Sequence, residues 1–495
     1  MASRARRDIR RNVLVILIAL LALSGLIAFV GVVQGGSVPV LMPEERARFV
    51  ERRSDAAGNG LPDLLDACKA LEGFGPVPAC EDLLKSGKIT MPNMTHPQNP
   101  LETSASLARY MLSGSFCPND DPRFKEYMDK TETVLPAVEK ALAKPFLLHS
   151  RISIGEDPRK PAPLAPVENL VRHLCALARY QSMVAGNTAK AVNRLQIAVA
   201  VCRGLEESGS FDLRVGDDPH QNARREGFFK FGLGTGAECP WTSIPVVAKY
   251  AADRNESLDA LLEMTRSAVE DAPDRSSLFQ AYCMMLDDVL EGRVTTQDMN
   301  FGRRIVMAVA SRNARGDARI LAEHDAAMRE AVNGPLDAFR GRIREIAGEG
   351  SIFGPKFMTL TMALTNVRSV LEGRMLVAGL AVRLEAFRKD HGGYPEKLEE
   401  LVPQYLPKIP PIPLAHTGGG MPGGMGGQNA PSGKPPVYEK FKEGYVLSES
   451  GASNLPDLQR SRYRGDDFSL DMREFPVTTV TVGGGLALPP GTTGN

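Results

Sequence analysis

The sequence predicts a mostly α-helical chain: one N-terminal transmembrane helix, an α-helical hairpin or bundle domain, and a small α+β module towards the C-terminal end. Three observations carry this. An uninterrupted apolar run fills residues 13–33. Apolar residues recur at helical spacing through much of the middle. Later, one long helical pattern stops at two glycines and gives way to short strand-like pieces. In order, the sequence divides into a basic cytoplasmic segment (1–12), the transmembrane helix (13–33), an irregular helical region (34–157) and an α-helical domain (158–355). The α+β module (356–473) carries a Gly-rich insert at 414–434 and is followed by a flexible tail (474–495).

Residues Val13 to Val33 read VLVILIALLALSGLIAFVGVV, 21 residues without a charge. As a helix they span about 31 Å, enough for a hydrocarbon core of about 30 Å. Arg4, Arg6, Arg7, Arg10 and Arg11 precede the run, and only Asp8 opposes them. The positive-inside bias therefore predicts a cytoplasmic N-terminus with the bulk of the chain across the membrane. A cleaved signal peptide is the competing reading. Its apolar region would be shorter and would end in a small-x-small site, which Val32-Val33-Gln34 does not supply. A lipoprotein is excluded because the first cysteine is Cys68.

Lys plus Arg and Asp plus Glu each number 59, so the chain has no net charge to recommend a nucleic-acid partner. The seven cysteines are Cys68, Cys80, Cys117, Cys175, Cys202, Cys239 and Cys283, with no CxxC among them, which gives a zinc or iron–sulfur site little support. Outside the cytoplasm disulfides become possible, and Cys68 and Cys80 are the nearest pair. Cys175 and Cys202, set among Ala, Leu and Val, read instead as small buried hydrophobes.

Behind the apolar run, helical patterns cover Leu61 to Leu71, Leu101 to Leu112 and Phe124 to Leu142. MPNMTHPQNP at 91–100 is a loop by its turn residues. A linker with Pro158, Pro161, Pro163 and Pro166 leads to the clearest helices, Val167 to Ala185 and Thr188 to Glu207. Gly186-Asn187 joins them as a C-cap glycine and a turn residue, which predicts an antiparallel pair. Gly186, Asn187, Ala191, Leu195 and Ala198 resemble the second half of a tetratricopeptide unit. Arg179 and Ser182 break the first half, and no copy follows at the period of about 34 residues such arrays require. A generic helical hairpin is therefore preferred. Further patterns span Ile244 to Ala251, Leu258 to Val269, Leu278 to Leu290 and Arg304 to Ala347. FFKFGLGTG at 228–236 lacks the P-loop spacing and its Lys-Ser/Thr, and reads as a loop.

Phe357 to Asp390 forms one long helical pattern that stops at His391-Gly392-Gly393. Strand-like pieces follow the Gly-rich insert at Pro436 to Tyr438, Gly444 to Ser448 and Asp467 to Leu470. Asp390, Gly392, Tyr394 and Pro395 open a run of spaced motifs. They continue through Leu398, Leu401, Pro403, Tyr405, Leu406, Ile409 and Pro410, then Gly433, Pro435, Tyr438, Tyr445, Leu447, Gly451, Asp466 and Asp467. In this order the stretch resembles the soluble half of the type II secretion major pseudopilin, as carried by bacterial membrane-anchored proteins. Two departures matter. Ile412 stands where the family has Asp, and no prepilin peptidase site precedes residues 13–33. The resemblance implies an acidic loop able to hold calcium. Asp457, Asp466 and Asp467 are the candidates, but Pro, Gln and Arg interrupt the loop, so solvated turn residues are the preferred reading.

His96, His149, His173, His220, His324, His391 and His416 form no HExxH, and no GxSxG elbow occurs. His173 and His324 read as surface or half-buried residues. The acid pairs Asp217-Asp218 and Asp287-Asp288 read as solvated rather than catalytic. The sequence therefore assigns no catalytic, cofactor-binding or metal-binding residue. The expectation is a single-pass protein of the inner (plasma) membrane, its bulk extracytoplasmic or periplasmic. It would act without evident catalysis as an envelope or secretion/pilus-associated interaction protein, with the membrane and envelope proteins as partners and no nucleic acid. The alternatives are a tetratricopeptide-like binding scaffold and an extracytoplasmic hydrolase with an unfamiliar site.

Overall fold

The computed structural model of the chain describes residues 43–74, 89–90, 122–154, 163–215, 228–233, 237–269, 276–291, 354–411, 435–442, 444–448, 469–472 and 480–481, with isolated residues between 293 and 342. The described part is mostly helical. Its helices are α1 (Pro43–Ser54), α2 (Leu61–Glu72), α3 (Pro122–Glu132), α4 (Leu135–Leu142), α5 (Ala165–Met183), α6 (Thr188–Glu207), α7 (Cys239–Asp253), α8 (Asp259–Val269), α9 (Ser276–Leu290) and α10 (Gly354–His391). The run at 13–33, the pattern Leu101 to Leu112, most of Arg304 to Ala347, the insert at 414–434 and nearly all of the tail lie outside the described residues. Among the described residues, no helix is long and apolar enough to cross a membrane.

The predicted hairpin is at the centre. Gly186 adopts φ +66°, a conformation that costs glycine little, and lets the chain reverse. Asn187 then caps α6, its side chain accepting from the Lys190 amide at 3.0 Å. From His173 to Ser182 every residue of α5 is buried, because α2, α3, α6 and α7 all pack on it. A helix enclosed this way needs apolar or internally paired side chains all round. Several helix starts carry a proline in the first turn, where the missing N–H has no intrahelical partner to lose, as in α2, α4, α5 and α7. Pro136 explains why the single pattern Phe124 to Leu142 divides into α3 and α4. Pro240 likewise opens α7 at Cys239, five residues before the expected Ile244.

Beside the helices stands a four-stranded sheet that the sequence pattern does not predict. Its strands are β2 (Ser150–Ile154), β3 (Phe211–Val215), β4 (Phe228–Phe231) and β5 (Thr295–Thr296), in the order β4-β3-β2-β5. A separate two-residue parallel pair joins β1 (Ile89–Thr90) to β9 (Val480–Thr481). FFKF at 228–231, expected as loop, is a strand antiparallel to β3. β2 and β3 are parallel neighbours in register from Ser150↔Phe211 to Ile154↔Val215. Parallel neighbours need a crossover rather than a tight turn, and the α5–α6 hairpin supplies it. The hairpin is thus followed by a strand, not by another hairpin.

Towards the C-terminal end, β6 (Val437–Lys440), β7 (Tyr445–Ser448) and β8 (Ser469–Asp471) form an antiparallel sheet with β7 central and buried. All three strands overlap the expected pieces. α10 has 38 residues, about 57 Å of helix. It serves two cores. Leu371, Ala378, Val382 and Ala386 join the core of α2 to α8. Leu376, Val377, Leu380, Ala381 and Leu384 pack on Leu398, Leu401, Leu406, Tyr445, Leu447 and Met472. The helix ends at Gly392, φ +76°, whose amide donates to the Arg388 carbonyl at 2.8 Å.

Candidate functional site

The chemistry-bearing side chains gather in three places. The first joins α1 to α9 and to the start of β2 in the four-stranded sheet. Asp287 and Asp288, expected to be solvated, are 5% and 2% exposed. Two adjacent carboxylates withdrawn from water require cations, and three arginines supply them. Arg46 reaches Asp287 at 3.2 Å, Arg293 contacts both (Asp288 at 2.8 Å), and Arg53 pairs with Asp288. Arg53 also donates to Ser150 on β2 at 2.8 Å and lies 4.2 Å over the Phe49 ring. Glu45 and Arg329 add a bidentate pair at 2.6 and 2.8 Å. The sequence could not show this, since Arg46 and Arg53 are far from Asp288 along the chain. The arrangement neutralises the acid pair instead of leaving a carboxylate positioned for proton transfer.

The second cluster lies inside the helical body. His173, expected at the surface or half-buried, is 2% exposed, because α3 covers that face of α5. Its Nδ1 lies 2.8 Å from the Asn169 carbonyl, which can only accept, so Nδ1 carries the proton. Nε2 then accepts from the Tyr127 hydroxyl at 2.8 Å. Burial, the largest cause, pushes the imidazole pKa down to about 4. One turn pair further along, Arg179 is 1% exposed and donates to Ser243 Oγ at 2.7 Å. Cys68, Cys175, Cys202, Cys239 and Cys283 are all free and buried, as expected for Cys175 and Cys202. Cys80 and Cys117 lie outside the described residues. Burial pushes the Cys68 thiol up to about 12. Burial, then the neighbouring Cys239, pushes Cys175 up as well.

The third cluster joins the body to the C-terminal module. Glu385, fully buried, accepts from Arg388 Nε at 2.8 Å and from the Tyr394 hydroxyl at 2.9 Å. Arg388 also pairs with Asp253 at the end of α7, at 2.6 Å. Burial raises the Glu385 carboxyl and outweighs the attraction of Arg388. Tyr394, Tyr438 and Tyr445 pack ring on ring beside it. The motif residues Tyr394, Leu398, Leu401, Tyr405, Leu406, Tyr438, Tyr445 and Leu447 all meet in this core.

Of the other histidines, His324 is half-buried, His391 lies at the surface with its ring 4.2 Å from that of Phe387, and His96, His220 and His416 lie outside the described residues. So do Asp217-Asp218, Asp457, Asp466 and Asp467. Among the described residues no three His, Cys, Asp or Glu side chains are grouped to hold a metal ion. A short sequence repeat follows two of the paired strands. The register partners Ile154 and Val215 are followed by Gly155-Glu156-Asp157-Pro158 and Gly216-Asp217-Asp218-Pro219, the same pattern twice at adjacent strand ends. Those eight residues lie outside the described part. Comparison with known proteins returns no matching family model, no matching curated protein and no matching solved structure.

Proposed function

We propose that the protein is a single-pass, membrane-anchored interaction protein whose body lies outside the cytoplasm and docks envelope proteins, near a secretion or pilus-like assembly. The observation that carries the reading is the charge-free run of 21 residues at 13–33 behind five arginines. The motif order from Asp390 to Asp467 supports the secretion-related setting. Residues 34–42 separate the run from α1 and reach about 30 Å even when fully extended, so the body would sit against the bilayer.

Alkaline carbonate extraction and protease protection test the placement. The chain is expected to stay in the membrane pellet and its body to be digested only from the extracytoplasmic side. A chain released by carbonate, or digested from the cytoplasmic side, would overturn it. Recovery of envelope or secretion components with the detergent-solubilised chain tests the role, and a pull-down without any counts against it.

A further inference from the structure

We propose that α1 is a strap held on the body by charge, able to open as a unit and so lengthen the link between residues 13–33 and the rest of the molecule. Phe49 is the one buried residue of α1, whereas α2, also of 12 residues, buries Leu61, Leu64, Ala67, Cys68 and Leu71. Among the described residues, the side-chain contacts that hold α1 are mainly ionic. Arg46 pairs with Asp287 and Glu291, Arg53 with Asp288, and Glu45 with Arg329. Arg46, Glu291 and Arg329 are a third or more exposed, so salt reaches these pairs.

Opening has a defined limit. Asn59 is fixed to the body by two hydrogen bonds with the Leu148 backbone, each 3.0 Å, and the Gly60 amide donates to the Phe146 carbonyl at 2.9 Å. The segment between Ser54 and Asn59 is therefore the hinge. A 12-residue helix off its support is too short to persist in water, so α1 would add its length as extended chain. The link then grows from residues 34–42 to residues 34–58, with a maximal reach rising from about 30 Å to about 85 Å. When α1 leaves, Asp287 and Asp288 keep Arg293 and regain water, which makes an open state attainable without unfolding the body. Opening stands independently of the membrane reading, while the longer reach rests on it.

Hydrogen exchange on the full chain in detergent tests the strap. Between about 0.05 M and about 0.5 M salt the Debye length falls from about 14 Å to about 4 Å. The amides of α1 are expected to exchange roughly 10-fold faster, with α5 and α6 unchanged, as a sub-global opening requires. Arg53→Gln should reproduce the effect at low salt. Exchange of α1 in step with α5 and α6, or insensitive to both salt and Arg53→Gln, would overturn the proposal. So would a Phe49→Ala chain that frees α1 while Arg46→Gln and Arg53→Gln leave it protected. In vesicles, energy transfer from a label on the body to an acceptor at the bilayer surface should fall at high salt. If α1 opens in detergent but carbonate strips the chain from vesicles, the strap stands and the membrane reading fails.

Discussion

His173 shows how one buried side chain sets a pH dependence. Its folded-state pKa is near 4, against an ordinary value of about 6.5. Between these values the unfolded chain binds the proton and the folded chain does not. Stability is therefore fully present above about pH 6.5 and is lost as pH falls towards 4, by roughly 3 kcal/mol at most. Denaturant titrations across this window should show that decline, and His173→Phe should flatten it. Tyr127→Phe should cost about 1–3 kcal/mol by leaving Nε2 buried without its donor. The cysteines give a second residue-level test. Cys68, Cys175, Cys202, Cys239 and Cys283 should resist an aromatic disulfide reagent in the native chain and react once denaturant opens the cores. Rapid labelling of any of the five without unfolding would contradict their burial.

At the scale of elements, two glycines carry different constraints, one of space and one of backbone conformation. A Cβ at Gly379 on α10 would overlap Val269 Cγ2 on α8, a short β-branched side chain with little room to yield. Gly379→Ala should therefore cost about 1–3 kcal/mol in thermal or denaturant unfolding. Gly186→Ala, at φ +66°, should cost about 1 kcal/mol for its backbone conformation alone, since its surroundings are roomy. Gly186-Asn187 was legible because a cap and a turn are written in adjacent residues, and α6 spans the expected Thr188 to Glu207. α10 was legible because its apolar stripe ends on a glycine pair. The sheet was not. SRISI, FDLRV and FFKF are too short for their alternation to stand out, and each becomes a strand only beside a partner distant in sequence. For the same reason the acid pair Asp287-Asp288 looked solvated and His173 looked superficial or half-buried. Burial of both depends on helices that lie far away along the chain.

For the whole molecule, α10 decides whether the body and the C-terminal module behave as one unit, because it contributes side chains to both cores. Two arginines on it reach across the join. Arg383, 2% exposed, donates to Thr265 on α8 at 3.2 Å and to the Tyr405 carbonyl at 3.2 Å. Arg388 links Asp253 to Glu385. Arg388→Met would leave Glu385 buried without that cation, which costs about 3–5 kcal/mol for pairs of this kind. The loss falls on the join, so the expected result is a module that unfolds before the body, seen as two calorimetric transitions in place of one. Glu385→Gln separates the charge from the packing. Glu385 is raised above its ordinary 4.5 by burial, so the folded chain holds its proton where the unfolded chain has released it. Its contribution to stability therefore falls as pH rises above 4.5, opposite to that of His173. The wild-type curve carries both slopes, so its decline below pH 6.5 is smaller than His173 alone would give. In Glu385→Gln this downward contribution is removed, so stability should climb more steeply from pH 4.5 upwards, while the Tyr394 hydroxyl keeps an acceptor. An unchanged slope would mean that the Glu385 carboxylate is already neutralised by Arg388 with no net cost of burial.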